Sequence, residues 1–115
     1  MNAAAARERL EQIRAELDRS ILVLTGEHQD EWVPEYPQDA ADAGANLAET
    51  ERTEAVLAMA RVQRSEVSDA LRRIETGTYG ICVDCGAALP EGRLEAKPHA
   101  ARCVKCQSKR DRLRR

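Results

Sequence analysis

Four cysteines carry the clearest chemistry in this 115-residue chain. Cys82 and Cys85 form one CxxC pair, Cys103 and Cys106 a second, and seventeen residues separate Cys85 from Cys103. Two intervening residues let both sulfurs of a pair reach the same ion, and the spacing between pairs falls in the window of structural zinc sites. Four soft thiolates satisfy the tetrahedral preference of zinc and leave no open position for a substrate. The expected cofactor is therefore one structural Zn²⁺ held by Cys82, Cys85, Cys103 and Cys106. Gly86 permits the tight turn that aims backbone N–H groups at sulfur, and Cys106 is expected on the first turn of a terminal helix.

Two other uses of cysteine are weighed. A redox CxxC needs a strand–helix setting that the sequence lacks, and a single pair would suffice for it. An iron–sulfur cluster uses four cysteines, but at other spacings. His99 lies between the pairs; with the shell already complete, it is expected to be exposed. His28 has no partner at ligand spacing. Between residues 77 and 107 only Ile81, Val83, Leu89, Leu94 and Val104 are available for burial, too small a core to offset the ordering entropy without metal.

The remaining sequence must position this knot. Leu10, Ile13, Leu17, Ile21 and Leu24 recur at three- and four-residue steps, which predicts an amphipathic helix from about Ala3 to Leu24, stopped at Thr25-Gly26. The stretch EHQDEWVPEYPQ carries two prolines and no period, and reads as a loop. A second helix is expected from Asp39 or Asp42 to about Glu75, with a seam of Leu57, Ala60, Arg64, Val67, Leu71 and Ile74, and a weaker upstream seam of Leu47, Thr50 and Thr53 or Glu54. Gly77 supplies its stop. The fold class expected is all-α: an antiparallel coiled-coil helical hairpin over residues 1–76, with a tip loop at about 25–42, then a small four-cysteine zinc finger and short terminal helix over 77–115. A dimeric coiled coil is the alternative that heptad patterning leaves open; the hairpin reading makes the chain a monomer.

Charge is segregated. Residues 27–54 hold nine acids against Arg52, and residues 102–115 hold seven bases against Asp111, although the whole chain carries only −2. The two regions are therefore expected to face different partners. No apolar run approaches the roughly 18 to 20 residues of a membrane span, and no secretory signal is legible at the start, so the thiols are read in a reducing cytoplasm.

In the stretch PQDAADAGANL, Asp39 can cap the second helix and Asp42, three residues on, is favoured by its dipole. This stretch, with YGICVDCG, RLEAKP and CVKC, resembles the DksA/TraR C4-type zinc-finger proteins of bacteria over roughly residues 39–115. The resemblance implies a non-enzymatic transcription regulator that binds RNA polymerase directly and reads no DNA sequence. It implies that the hairpin enters the polymerase secondary channel and brings the tip residues Asp39, Asp42 and Gly44 near the catalytic magnesium. It also implies modulation of promoter complexes, often with guanosine tetraphosphate, for which Arg93 and Lys97 keep basic positions. Three residues depart from the pattern. Gly44 replaces an alanine at a cost of about 1 kcal/mol in a helix, which predicts a looser tip, and Gln107 and Glu66 stand where bases are expected.

Two other functions compete. A zinc-ribbon nucleic-acid binder would use the basic tail, though no aromatic stacking platform accompanies it, and a coiled-coil adaptor would need no tip activity at all. Nothing resembles a nucleophile–base pair, a phosphate loop or an open metal site.

Overall fold

The computed structural model describes residues 2–26 and 40–114, with side chains from Leu47 onward in the second part. Among these described residues lie four helices in chain order: α1 (Ala3–Leu24), α2 (Ala40–Thr76), α3 (Glu91–Ala96) and α4 (Val104–Leu113). No strand occurs among the described residues, only an isolated antiparallel bridge between Ile81 and Ala88. The fold is all-α, as the periodicity predicts, and no described helix is long and apolar enough to cross a membrane.

Local chemistry explains where the long helices begin and end. The Asn2 side chain accepts from the Ala5 N–H at 2.8 Å, satisfying one of the first-turn donors of α1. At its other end Gly26 takes φ 76 and its N–H reaches the Val23 carbonyl. α2 closes with a paired set of bonds: Thr78 N to Arg73 O at 2.9 Å and Gly77 N to Ile74 O at 3.3 Å, with Gly77 at φ 78. This arrangement satisfies two orphan carbonyls and demands a residue at ease with positive φ, which glycine supplies.

The chain divides into two compact units, residues 1–15 with 65–115 and residues 16–64. In the first, the start of α1 accompanies the end of α2, and Ala6, Leu10, Val67, Ala70 and Leu71 are buried. In the second, residues 16–24 accompany α2 up to Arg64; among the described residues only Ala60 is buried, while Leu17, Ile21, Leu24 and Leu57 are half-buried. Each unit pairs an early part of α1 with a late part of α2 or the reverse, which is the antiparallel order expected of a hairpin.

The seam differs from expectation at three places. Arg64 is exposed and forms an ion pair with Asp18, because a guanidinium at a seam position reaches solvent along its aliphatic stem. Leu47 is 61% exposed; α1 stops at Leu24, and the described residues offer Leu47 no cover. Ala70, absent from the expected seam, is fully buried, its small side chain suiting a close helix approach.

Candidate metal centre

The segment after α2 folds around two knuckles. Cys82 N donates to Ala87 O at 2.8 Å, Gly86 N to Cys82 O at 3.0 Å, and Leu89 N to Gly80 O at 2.8 Å, so the first CxxC lies in a tight reversal. Gly86 sits at φ 75 in that turn, the conformation its position requires. Val83 N bonds to Ala101 O at 2.9 Å and ties the first knuckle to the approach of the second. The second pair straddles the start of α4: Cys103 is the N-cap, and its sulfur accepts from Cys106 N at 3.5 Å.

These turns bring one sulfur from each of Cys82, Cys85, Cys103 and Cys106 within 4.8 Å of one another. The Sγ atoms of Cys85 and Cys103 are 3.9 Å apart. A tetrahedral zinc with arms of about 2.3 Å has edges of about 3.8 Å, so the donor set fits that ion in chemistry and in size. The thiols alone compete for protons. Backbone N–H donation, chiefly at Cys85, pulls Cys82 down to about 6. The hydrogen bond with Cys103 pushes Cys106 up to about 12. With zinc bound, all four cysteines would be held as thiolates and their protons released.

The apolar support is small and differs from the expected list. Cys82, Leu89, Leu94 and Ala100 form the buried cluster, with Tyr79, Cys103 and Cys106 packed against it. Ile81, Val83 and Val104, expected inside, are 42%, 49% and 63% exposed, because the Ile81–Ala88 bridge and the start of α4 turn them outward. Polar contacts replace the missing core. Tyr79 Oη donates to Pro98 O at 2.8 Å, Arg93 Nε to Arg102 O at 2.7 Å, and Arg102 Nε to Asp84 Oδ2 at 2.7 Å.

His99 is the clearest correction. It is not exposed: its side chain keeps only 15% of its surface, and Nε2 faces Glu66 Oε2 of α2 at 3.6 Å. Burial is the larger influence and lowers its pKa, Glu66 opposing it and Lys97 and Arg73 reinforcing it. Its Nδ1 and the Nη2 of Arg73 are buried without a hydrogen-bond partner among the described residues. A histidine between two metal-binding pairs gives no sequence signal for this packing role, since its partner lies 33 positions upstream.

The other expected site residues belong to different elements. Lys97 is exposed at the C-cap of α3, whereas Arg93 is half-buried, with Nε committed to the Arg102 carbonyl. Asp42 and Gly44 lie within the first turns of α2, and Asp39 lies outside the described residues.

Comparison with known proteins places the centre in a family. Residues 77–112 match the model of the prokaryotic dksA/traR C4-type zinc finger. The chain is 41% identical over 51 residues to the RNA polymerase-binding transcription factor DksA of Caulobacter vibrioides, covering 44% of this chain and 36% of that protein. With the Escherichia coli protein of the same name it shares 27% over 97 residues, 84% of this chain and 60% of the other. The chain thus spans about a third of the length of the first curated relatives it matches. Among solved structures, transcription factor DksA2 from Pseudomonas aeruginosa superposes with a TM-score of 0.77 at 25% identity, over 97% of this chain and 84% of that one. The four cysteines of residues 77–112 therefore form the structural zinc site of a prokaryotic dksA/traR C4-type zinc finger, as the sequence resemblance implied.

Proposed function

We propose that this chain is a non-enzymatic transcription regulator of the cytoplasm that binds RNA polymerase as a monomer. It acts through the polymerase secondary channel, with the α2 start near the active site, and modulates promoter complexes. The observation that carries the reading is the conjunction of a matched zinc finger with a helical fold similar to DksA2 along nearly the whole chain. A zinc finger alone would be consistent with many partners.

Physical chemistry supports the division of labour. Asp42 lies in the first turn of α2, where a carboxylate is stabilised by the dipole, and Asp39 belongs to the same stretch of strong negative charge in the sequence. Carboxylates in that setting are repelled by nucleic-acid phosphates and attracted to a cationic channel or a bound divalent ion. Gly44 adds freedom at the same turn and weakens the contact relative to alanine. Guanosine tetraphosphate is a secondary ligand of this reading. Of the two basic residues assigned to it, Lys97 is exposed and Arg93 is already engaged, so Lys97 is the stronger contact.

The test combines capture with transcription. Wild type and the Asp39→Asn and Asp42→Asn variants should all retain RNA polymerase from a DNA-free mixture. Only the wild type should change the lifetime of promoter complexes, with the variants weakened about tenfold or more. Variants that bind and act like wild type would remove the tip from the mechanism, and a wild type that captures no polymerase would overturn the reading itself.

A further inference from the structure

Each CxxC pair is shaped by bonds within itself. Gly86 N to Cys82 O closes the first knuckle, and Cys106 N to the Cys103 sulfur closes the second. Neither bond sets one knuckle against the other. The seventeen residues between Cys85 and Cys103 form a loop whose closure costs entropy, and thiolates drawn together repel one another. The register of the two knuckles therefore needs contacts of its own.

Those contacts converge on Arg102. Its Nε donates to Asp84 Oδ2 at 2.7 Å, and its carbonyl accepts from Arg93 Nε at 2.7 Å. Asp84 immediately precedes Cys85 and Arg102 immediately precedes Cys103, and the sulfurs of these two cysteines stand 3.9 Å apart. One residue further back the backbone repeats the pairing, Val83 N donating to Ala101 O at 2.9 Å. The Arg102 side chain keeps 20% of its surface and Asp84 45%, so the pair is better shielded than the helix-surface pair of Arg72 and Asp69, at 71% and 52%. Asp84 also lines, with Cys85 and Cys106, a cleft of about 380 Å³, so the pair lies on a side of the centre that meets solvent. A zinc ion held by four thiolates is a net anion, beside which the Asp84 carboxylate is disfavoured unless neutralised. Arg102 neutralises it through a directed bond, and Arg93 fixes the backbone from which Arg102 reaches.

We propose that Arg102, with Asp84 and Arg93, is a positioning network for the metal centre, holding the second knuckle against the first and so setting how slowly zinc is lost. The network supplies no ligand atom and acts through the cysteines beside it. Arg93, in the RLEAKP stretch, thereby has a task inside the finger that needs neither polymerase nor nucleotide.

The experiment uses the full zinc-loaded chain. Release of zinc to an excess of a chromogenic chelator is followed by absorbance, and the d–d bands of the cobalt-substituted protein report whether four sulfurs still surround the metal. Arg102→Gln should lose zinc about tenfold faster or more, with the tetrahedral cobalt bands kept. Asp84→Asn, which leaves the guanidinium in place, should speed the loss by about threefold. The double variant should lose zinc no faster than Arg102→Gln, where independent sites would give about thirtyfold. Arg93→Gln, which frees the Arg102 carbonyl, should also lose zinc faster than wild type. Arg102→Lys keeps the charge without the planar fork and should restore part of the retention, whereas Arg72→Gln, which breaks the exposed pair with Asp69, should match wild type. If Arg102→Gln takes up no metal, Asp84→Asn and Arg102→Lys carry the test, and wild-type release from both would overturn the proposal. So would wild-type release from Arg102→Gln or Arg93→Gln, multiplied effects in the double variant, or equal acceleration in Arg72→Gln.

Discussion

The two compact units are built from the same pair of helices and held in different ways. Residues 1–15 with 65–115 contain the fully buried Leu10 and Val67 and a zinc site that cross-links four chain positions. Among its described residues, the unit 16–64 buries only Ala60, leaves Val56, Met59 and Val62 more than half exposed, and carries the Asp18–Arg64 ion pair at the surface. The contrast teaches that apolar periodicity alone does not make a core. Leu57 and Val67 occupy equivalent seam positions, yet only Val67 is enclosed. The first unit is accordingly the stable base, and the second has the weaker packing from which moving or partner-bound elements are drawn.

Removing zinc should break the contrast most severely. With four buried residues in its cluster, the finger lacks the apolar area to remain ordered, and binding free energies of structural zinc are on the order of 10 kcal/mol or more. Chelation should abolish amide protection across residues 77–112, while circular dichroism retains most of the signal of α1 and α2. One zinc per chain should be released. Persistence of protection in the metal-free chain would show that the hydrogen bonds of Tyr79, Arg93 and Arg102 suffice.

One substitution made in both units sharpens the comparison at intermediate size. Leu10→Ala empties a fully buried site and should cost about 2–4 kcal/mol, whereas Leu57→Ala, at a half-buried site, should cost about 1 kcal/mol. Denaturant melts of the zinc-loaded protein measure both. Equal losses would mean that the two units are packed alike.

Much of this architecture was legible before the structure. Three- and four-residue steps located α1 from Ala3 to Leu24, and two CxxC pairs located the sulfurs that converge, because helix period and ligand spacing are local properties of the chain. Contacts between distant residues were not legible. His99 is largely covered and faces Glu66, and Ile81 and Val83 face outward, because a metal-centred turn sets their direction in place of an apolar period. Arg64 shows the converse: a seam position in the pattern, it was free to leave the seam because its charge found Asp18. The start of α2 was legible as a helix opening, whereas the action proposed for it would depend on a partner whose surface no single chain encodes.

The smallest effect expected is a pH dependence confined to the first unit. Burial lowers the pKa of His99 from the ordinary 6.5, against the opposing charge of Glu66 and with Lys97 and Arg73 reinforcing it. The unfolded chain therefore takes up a proton on this residue at a higher pH than the folded one. The neutral form contributes stability above the unfolded value, and that contribution is lost as pH falls through 6.5 towards the folded value. Zinc ligands also gain protons in acid, so the difference between wild type and His99→Gln isolates the histidine. The gap between their melting temperatures should be constant above pH 7 and should shift in favour of the variant as pH falls to about 5.5, by a few degrees at most. A gap that stays flat across that window would mean the protonated ring is accommodated by Glu66, and that the contact holds its strength in both charge states.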